Sequence, residues 1–163
     1  MKIFGLVGTA GSGKDTVAEL LTELFDIHNY STSDYVRAVT RFLFDLPPEA
    51  SPIRDQLFVV ATALRELNQA STVDMGVMQA KERGFDTQVI SGLRSVGEAE
   101  AVRAAGGLII GVDADPVIRH ERITSRMRDA EAERTLDEFL KQDEHENKGV
   151  ADGPMRGIRY VID

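Results

Sequence analysis

The residues Gly8-Thr9-Ala10-Gly11-Ser12-Gly13-Lys14-Asp15-Thr16 have the composition and spacing of a loop that wraps an anion. Glycines at these places let backbone N–H groups curl around a phosphate with no Cβ in the way. An apolar run, Ile3 to Val7, precedes the loop, and Val17, Leu20, Leu21, Leu24 and Phe25 follow it at helical spacing. The loop therefore joins a strand to a helix, and the helix amino end turns partial positive charge toward the anion. Lys14 adds a mobile point charge able to reach the β- and γ-phosphates of a nucleotide. Loops of this kind ordinarily carry Ser or Thr directly after the lysine as a Mg²⁺ ligand. Here Asp15 holds that place and Thr16 follows. Either could serve the metal, directly or through water, because Mg²⁺ keeps several waters. ATP and Mg²⁺ are the expected ligands, with Gly8 through Thr16 as the nucleotide-binding residues.

A second chemical signal is cationic. Arg119, Arg122, Arg126, Arg128 and Arg134 put five guanidinium groups within sixteen residues. Arg119, Arg122 and Arg126 fall near one helical face. Positioned cations of this sort stabilise the charge that spreads over a phosphoryl group in transfer. Glu121, Asp129, Glu131 and Glu133 are interleaved, so a solvated charged helix is the plain alternative, and Arg119 is assigned to it. Asp34 stands at a predicted helix start, where capping is its simplest role. His28, His120 and His145 lack partners at zinc-ligand spacing. The run Asp143-Glu144-His145-Glu146 reads as a solvated helix face. Asn147-Lys148-Gly149-Val150 lacks the aspartate of a guanine-recognition motif.

Elements to position these groups follow from the pattern. Beyond the first strand and helix, a short strand is expected near 29–32. Three helical stripes follow: Tyr35 to Leu43, Ile53 to Leu67, and a weaker one through Val73, Val77 and Ala80. Their Phe and Leu residues are expected in the core. Thr87 to Ile90 reads as a strand, and Ser95-Val-Gly-Glu98 as a capping box. Leu108 to Val112 is a second buried run, and Asp115-Pro116 opens another helix. Thr135-Leu-Asp-Glu138 is a further capping box, and Tyr160 to Ile162 a last strand. Five strands alternating with helices predict a three-layer α/β fold with a five-stranded parallel sheet. Residues 33–84 form an inserted helical lobe and 119–135 a short lid, within one domain spanning 1–163.

Composition agrees with that plan. The chain has 163 residues, of which 42% are hydrophobic and 28% charged, as in a folded globular domain. Its net charge of −8 speaks against gripping nucleic acid along the backbone. Absence of cysteine removes disulfides and thiolate zinc sites. No apolar run is long enough to span a membrane, and Met1 to Gly8 is too short for a signal peptide. The expected location is the cytoplasm.

With these motifs in order, the chain resembles the adenylate-kinase-like nucleotide kinases among the P-loop kinases. Gly13-Lys14-Asp15-Thr16 is similar to the Gly-Lys-Gly-Thr of adenylate kinases and to the loop of viral deoxynucleoside monophosphate kinases. Nearly the whole chain resembles a group of kinase-like proteins described as adenylate-kinase-like or as dephospho-coenzyme A kinases. The matching segments are Ser31-Thr-Ser-Asp34-Tyr-Val-Arg37, Val89-Ile-Ser-Gly92-Leu-Arg94-Ser, Val112-Asp-Ala-Asp-Pro116 with Arg119, Arg122 and Arg126, and Phe139 to Glu146.

The resemblance implies a P-loop NTPase fold and ATP-dependent transfer to a small phosphorylated acceptor. A nucleoside or deoxynucleoside monophosphate is the first choice. It also implies that Arg37 and Arg94 hold the acceptor's phosphate, that Arg122 stacks on the donor base, and that Arg126 contacts the transferring phosphates. Arg128 and Arg134 would close over the γ-phosphate. Lys14, Asp34, Arg126 and Arg128 form the implied catalytic set. If the acceptor is dephospho-coenzyme A instead, Asp34 accepts the proton of a ribose hydroxyl. In adenylate kinases the matching aspartate only supports the metal or the loop. Ser91 stands where relatives often carry an acidic residue. That change and Asp15 leave room for a different class, an ATP-binding module without transfer. Donor-base preference and oligomeric state stay open.

Overall fold

The computed structural model describes residues 1–47, 49–126 and 135–148. Strand β1 (Lys2–Val7) leads through the glycine-rich loop into α1 (Lys14–Phe25), and β2 (His28–Ser31) follows. Helices α2 (Thr32–Leu43), α3 (Arg54–Leu67) and α4 (Ser71–Glu82) form a helical stretch before β3 (Thr87–Ser91). The chain continues through α5 (Val96–Ala104), β4 (Leu108–Gly111), α6 (Pro116–Arg126) and α7 (Leu136–Lys148).

The strands pair in parallel in the order β2-β3-β1-β4. This is a parallel α/β sheet consistent with a Rossmann-like or phosphate-loop fold. The described sheet has four strands rather than the expected five; the fifth, over 160–162, lies outside the described residues. Alternation of side chains sorts the sheet into two faces. Ile3, Val7, Tyr30 and Ile90 meet Val73, Leu93, Ala99 and Val102 on one face. Leu6 and Val89 meet Ala18 and Ile27 on the other.

Connectivity fixes where a ligand can bind. From β1 the chain crosses through α1 to β2, at one edge; from β3 it crosses through α5 to β4, at the other. The loops after β1 and β3 therefore leave neighbouring strand ends toward opposite faces. Such a switch point opens a crevice beyond the carboxyl ends of the strands.

Local signals set most of the helix starts. Asp115 Oδ1 accepts from the Val117 N–H at 2.8 Å ahead of α6. Ser95 and Glu98 form a reciprocal capping box on α5. Thr135 and Glu138 make the matching contacts before α7.

Two expectations about burial are corrected. The aromatic and leucine stripe of the lobe is not its core: Phe42 is 85% exposed, and Leu43, Phe58 and Leu67 are exposed as well. The inward face of α2 is Thr32, Val36 and Thr40, and Phe42 stands about 200° around the helix from Thr40. Val60, Val73 and Ala80 complete the buried interior of the lobe. The run at 108–112 is likewise not buried throughout, since Leu108 is 63% exposed. β4 ladders only with β1 among the described strands, which leaves it at the sheet edge. Of the residues expected in a lid, 119–126 belong to α6, and 127–134 lie outside the described residues.

Candidate functional site

The glycine-rich loop lies at the switch point, between the end of β1 and the start of α1. Gly11 (φ 76°) and Gly13 (φ 97°) take left-handed conformations that turn the chain back on itself. Gly8 is needed for close approach: a Cβ there would stand 2.4 Å from the Val112 carbonyl oxygen and 2.5 Å from Ser12 Oγ. Gly13 caps α1 without a side-chain bond, so the first-turn amides have no side-chain acceptor at that position. Ser12 Oγ is buried and has no hydrogen-bond partner among the described residues. A buried hydroxyl left unpaired is costly, and an anion seated in the loop is a natural partner for it.

Lys14 begins α1, and its Nζ lies 3.3 Å from Asp15 Oδ1. Asp15 is half-buried beside it, whereas Thr16 is exposed. Of the two candidate metal donors, the carboxylate is thus the one next to the lysine. Among the described residues no group of three or more His, Asp or Glu side chains could hold a metal ion alone. The Asp15 carboxylate, with the Thr16 hydroxyl as the alternative, and the oxygens of a bound phosphate form a hard donor set that fits Mg²⁺.

Two of the predicted arginines brace this loop from α6. Arg122 Nη1 donates to the Gly11 carbonyl at 3.1 Å, although the residue is otherwise exposed. Arg119 overturns the expectation of a solvated side chain. It is 3% exposed, and its Nη1 donates to Thr9 Oγ1 at 2.6 Å while Nε donates to the Ala114 carbonyl at 2.9 Å. Nη2 donates to Asp143 Oδ2 at 2.6 Å, and the guanidinium lies 5.4 Å from the Phe139 ring centre. Asp143 therefore belongs to a buried ion pair rather than to a solvated acidic face. Arg126 ends α6, but its side chain, like Arg128 and Arg134, lies outside the described residues.

The loop after β3, the strand that pairs with β1, carries Arg94. Its backbone is held by Glu98, which is 0% exposed. Glu98 Oε2 accepts from the N–H groups of Arg94 at 2.6 Å and Ser95 at 3.0 Å. Oε1 accepts from Thr72 Oγ1 at 2.6 Å and pairs with Arg65 Nη2 at 2.9 Å. One carboxylate thereby joins α3 and α4 to the Arg94 loop. Thr32 Oγ1 adds a link from α2, donating to the Gly92 carbonyl at 2.7 Å. Arg94 and Arg37 are half-buried. Asp34 is exposed in the first turn of α2, and the cap is Ser31, whose Oγ accepts from the Asp34 N–H at 3.3 Å. Asp34 and Arg37, three residues apart, share one side of α2. Ser91 is buried at the end of β3. The Tyr30 hydroxyl is buried without a partner among the described residues, and burial, with smaller contributions from Tyr35 and Glu98, raises its pKa.

The loop was thus identifiable from spacing, and so was Glu98 as a capping residue. Arg65, Thr72 and the link from Thr9 through Arg119 to Asp143 were missed. The available signals were an arginine set in an apolar helical stripe at Leu64-Arg65 and an aspartate five residues after a capping box.

No family model matches the chain, and no curated protein does. Among solved structures, the chain is similar to TT1252 from Thermus thermophilus, with a TM-score of 0.51. The two are 22% identical over 87% of this chain and 78% of the other. That likeness supports the α/β fold and nothing finer. No described helix is long and apolar enough to cross a membrane.

Proposed function

We propose that the protein transfers the γ-phosphoryl group of ATP to a small acceptor already carrying a phosphate, a nucleoside or deoxynucleoside monophosphate first. The observation behind this is that two phosphate-suited features follow the carboxyl ends of the neighbouring parallel strands β1 and β3. One is the loop of residues 8–13 with Lys14 and the orphaned Ser12 hydroxyl. The other is the Arg94 loop, fixed by a buried carboxylate. The matches of Ser31 to Arg37 and Val89 to Ser95 to adenylate-kinase-like segments point the same way. A five-stranded P-loop kinase fold, with 33–84 as acceptor lobe and 119–135 as lid, belongs to the proposal. So does a cytoplasmic protein that needs neither membrane nor nucleic acid.

In this mechanism the loop amides and Lys14 hold the β- and γ-phosphates, and Arg122 lies along the donor side. Asp15, with Thr16 as the alternative, would hold Mg²⁺, which supplies neutralisation of phosphate charge. Arg37 and Arg94 bind the acceptor phosphate as bidentate forks. An oxygen of that phosphate attacks the γ-phosphorus in line, the bond to the β–γ bridging oxygen breaks, and ADP leaves. The attacking oxygen is already ionised, so no base is needed. Arg126 and Arg128 are assigned to the charge that spreads in the transition state.

The test is ADP release from Mg-ATP against common ribo- and deoxyribonucleoside monophosphates and dephospho-coenzyme A, with Lys14→Ala as blank. Release stimulated by one monophosphate supports the proposal. Stimulation by dephospho-coenzyme A alone shifts the reaction to a ribose hydroxyl with Asp34 as base. ATP binding with no stimulated release leaves a nucleotide-binding module.

A further inference from the structure

We infer that Arg119 and Asp143 are positioning residues: helix α7, through this buried pair, holds the phosphate-binding loop in its anion-accepting curve and so sets nucleotide affinity without touching the nucleotide. The inference deepens the phosphoryl-transfer proposal and rests on it for the nature of the ligand. Its structural half concerns the loop alone.

Three contacts carry it. Arg119 Nη1 is 2.6 Å from Thr9 Oγ1, and Thr9 is itself buried within the loop. The backbone of the same arginine packs on the loop's left-handed turn, where a Cβ on Gly11 would stand 2.6 Å from the Arg119 carbonyl oxygen. Finally, Asp143 grips the far side of the guanidinium, with its Oδ2 2.6 Å from Nη2. Both partners are largely withdrawn from water, at 3% and 11% side-chain exposure.

A buried guanidinium keeps its place only while its charge is answered. Asp143 is the closer and more buried of two carboxylates on Arg119, the exposed Asp113 standing 3.8 Å from Nε, so neutralising Asp143 loosens the guanidinium and weakens its bond to Thr9. The effect reaches the loop through Arg119 from Asp143, which lies 24 residues beyond that arginine in the chain. Asp143 in turn depends on where α7 begins, which the Thr135–Glu138 capping contacts fix. A loop held from outside presents its amides preorganised, and the cost of ordering it is not subtracted from nucleotide binding.

The test uses the full chain and three variants, Asp143→Asn, Asp143→Glu and Thr9→Val. Hydrogen exchange of the peptide covering 5–17 is measured in nucleotide-free protein, and ATP affinity separately, both below the melting transition. For Asp143→Asn, loop exchange is expected to accelerate and the Kd for ATP to rise about tenfold, with the KM for the acceptor unchanged. Asp143→Glu should restore part of both effects. Thr9→Val, which cuts only the last link, should accelerate loop exchange even if Asp143→Asn fails to fold.

A lower melting temperature with wild-type loop exchange and wild-type ATP affinity would overturn the inference and reduce the pair to a brace for α7. Unchanged exchange in Thr9→Val would overturn it as well. If loop exchange accelerates but the wild-type protein binds no ATP, the loop-holding role stands and the phosphoryl-transfer proposal fails, so the two failures are distinguishable.

Discussion

Glu98 and Arg65 form an ion pair sealed from solvent, with Arg65 Nη2 2.9 Å from Glu98 Oε1 and side chains 0% and 3% exposed. The same carboxylate closes the capping box of α5 and accepts from the Arg94 N–H. A charge pair inside a protein is a poor source of stability, but removing one partner strands the other. Glu98→Ala should therefore lower unfolding stability by about 3–5 kcal/mol, read by urea denaturation. Thr72→Val, which removes one neutral donor, should cost about 1–2 kcal/mol. Where Thr72→Val remains folded, the KM for the acceptor should rise before the KM for ATP, because the disturbed loop carries Arg94.

Gly8 and Gly84 separate loop geometry from glycine's general cost. A Cβ on Gly8 would collide with the Val112 carbonyl and the Ser12 hydroxyl, whereas one on Gly84 meets nothing within 4 Å. Gly84→Ala, at φ 75°, should cost about 1–2 kcal/mol of stability and leave ATP affinity unchanged. Gly8→Ala should abolish measurable ATP binding while the protein remains folded by circular dichroism.

How much of this was legible beforehand follows the range of the interactions. The loop, the capping residues Ser95, Asp115 and Thr135, and the strand–helix alternation are settled within a few neighbours, so residue type and spacing reveal them. Burial of charge is not local. Residue type and spacing place Arg119 on a solvated face because its helix carries interleaved acids, whereas the glycine-rich loop and α7, both distant in sequence, enclose it. The same limit explains Phe42, whose place in an apolar stripe said nothing about which side of α2 meets α3 and α4. Leu108 failed differently: an apolar run marks a strand, but not whether that strand sits inside the sheet or at its edge.

His28 supplies a pH dependence of stability. It is buried, stacks on Phe85 with ring centres 5.1 Å apart, and its Nε2 has no partner among the described residues. Burial, with Arg83 adding, holds its pKa below the ordinary value of 6.5. The unfolded chain then takes up its proton first as pH falls. The contribution is complete above about pH 6.5 and declines as pH drops from there through the folded pKa. Urea midpoints measured between pH 7 and 5 should fall, and His28→Phe should flatten that part of the profile.

Asp34 distinguishes the two acceptor chemistries. It is exposed in the first turn of α2, and Ser31 rather than Asp34 caps that helix. Asp34→Asn should therefore leave the melting temperature nearly unchanged. With a monophosphate acceptor, kcat should fall by less than about tenfold, because no proton has to be removed. A loss of about 10²–10⁴ in kcat would be the mark of a general base acting on a hydroxyl.

Phosphoryl transfer itself is tested most directly by following the label from γ-labelled ATP in the presence of Mg²⁺ and each candidate acceptor. The label should appear on the phosphate of one nucleoside monophosphate, and Lys14→Ala should abolish its transfer. Arg94→Met should raise the KM for that acceptor with little change in the KM for ATP. Label released only as inorganic phosphate, or retained on bound ATP whatever the acceptor, would contradict a kinase built on this crevice.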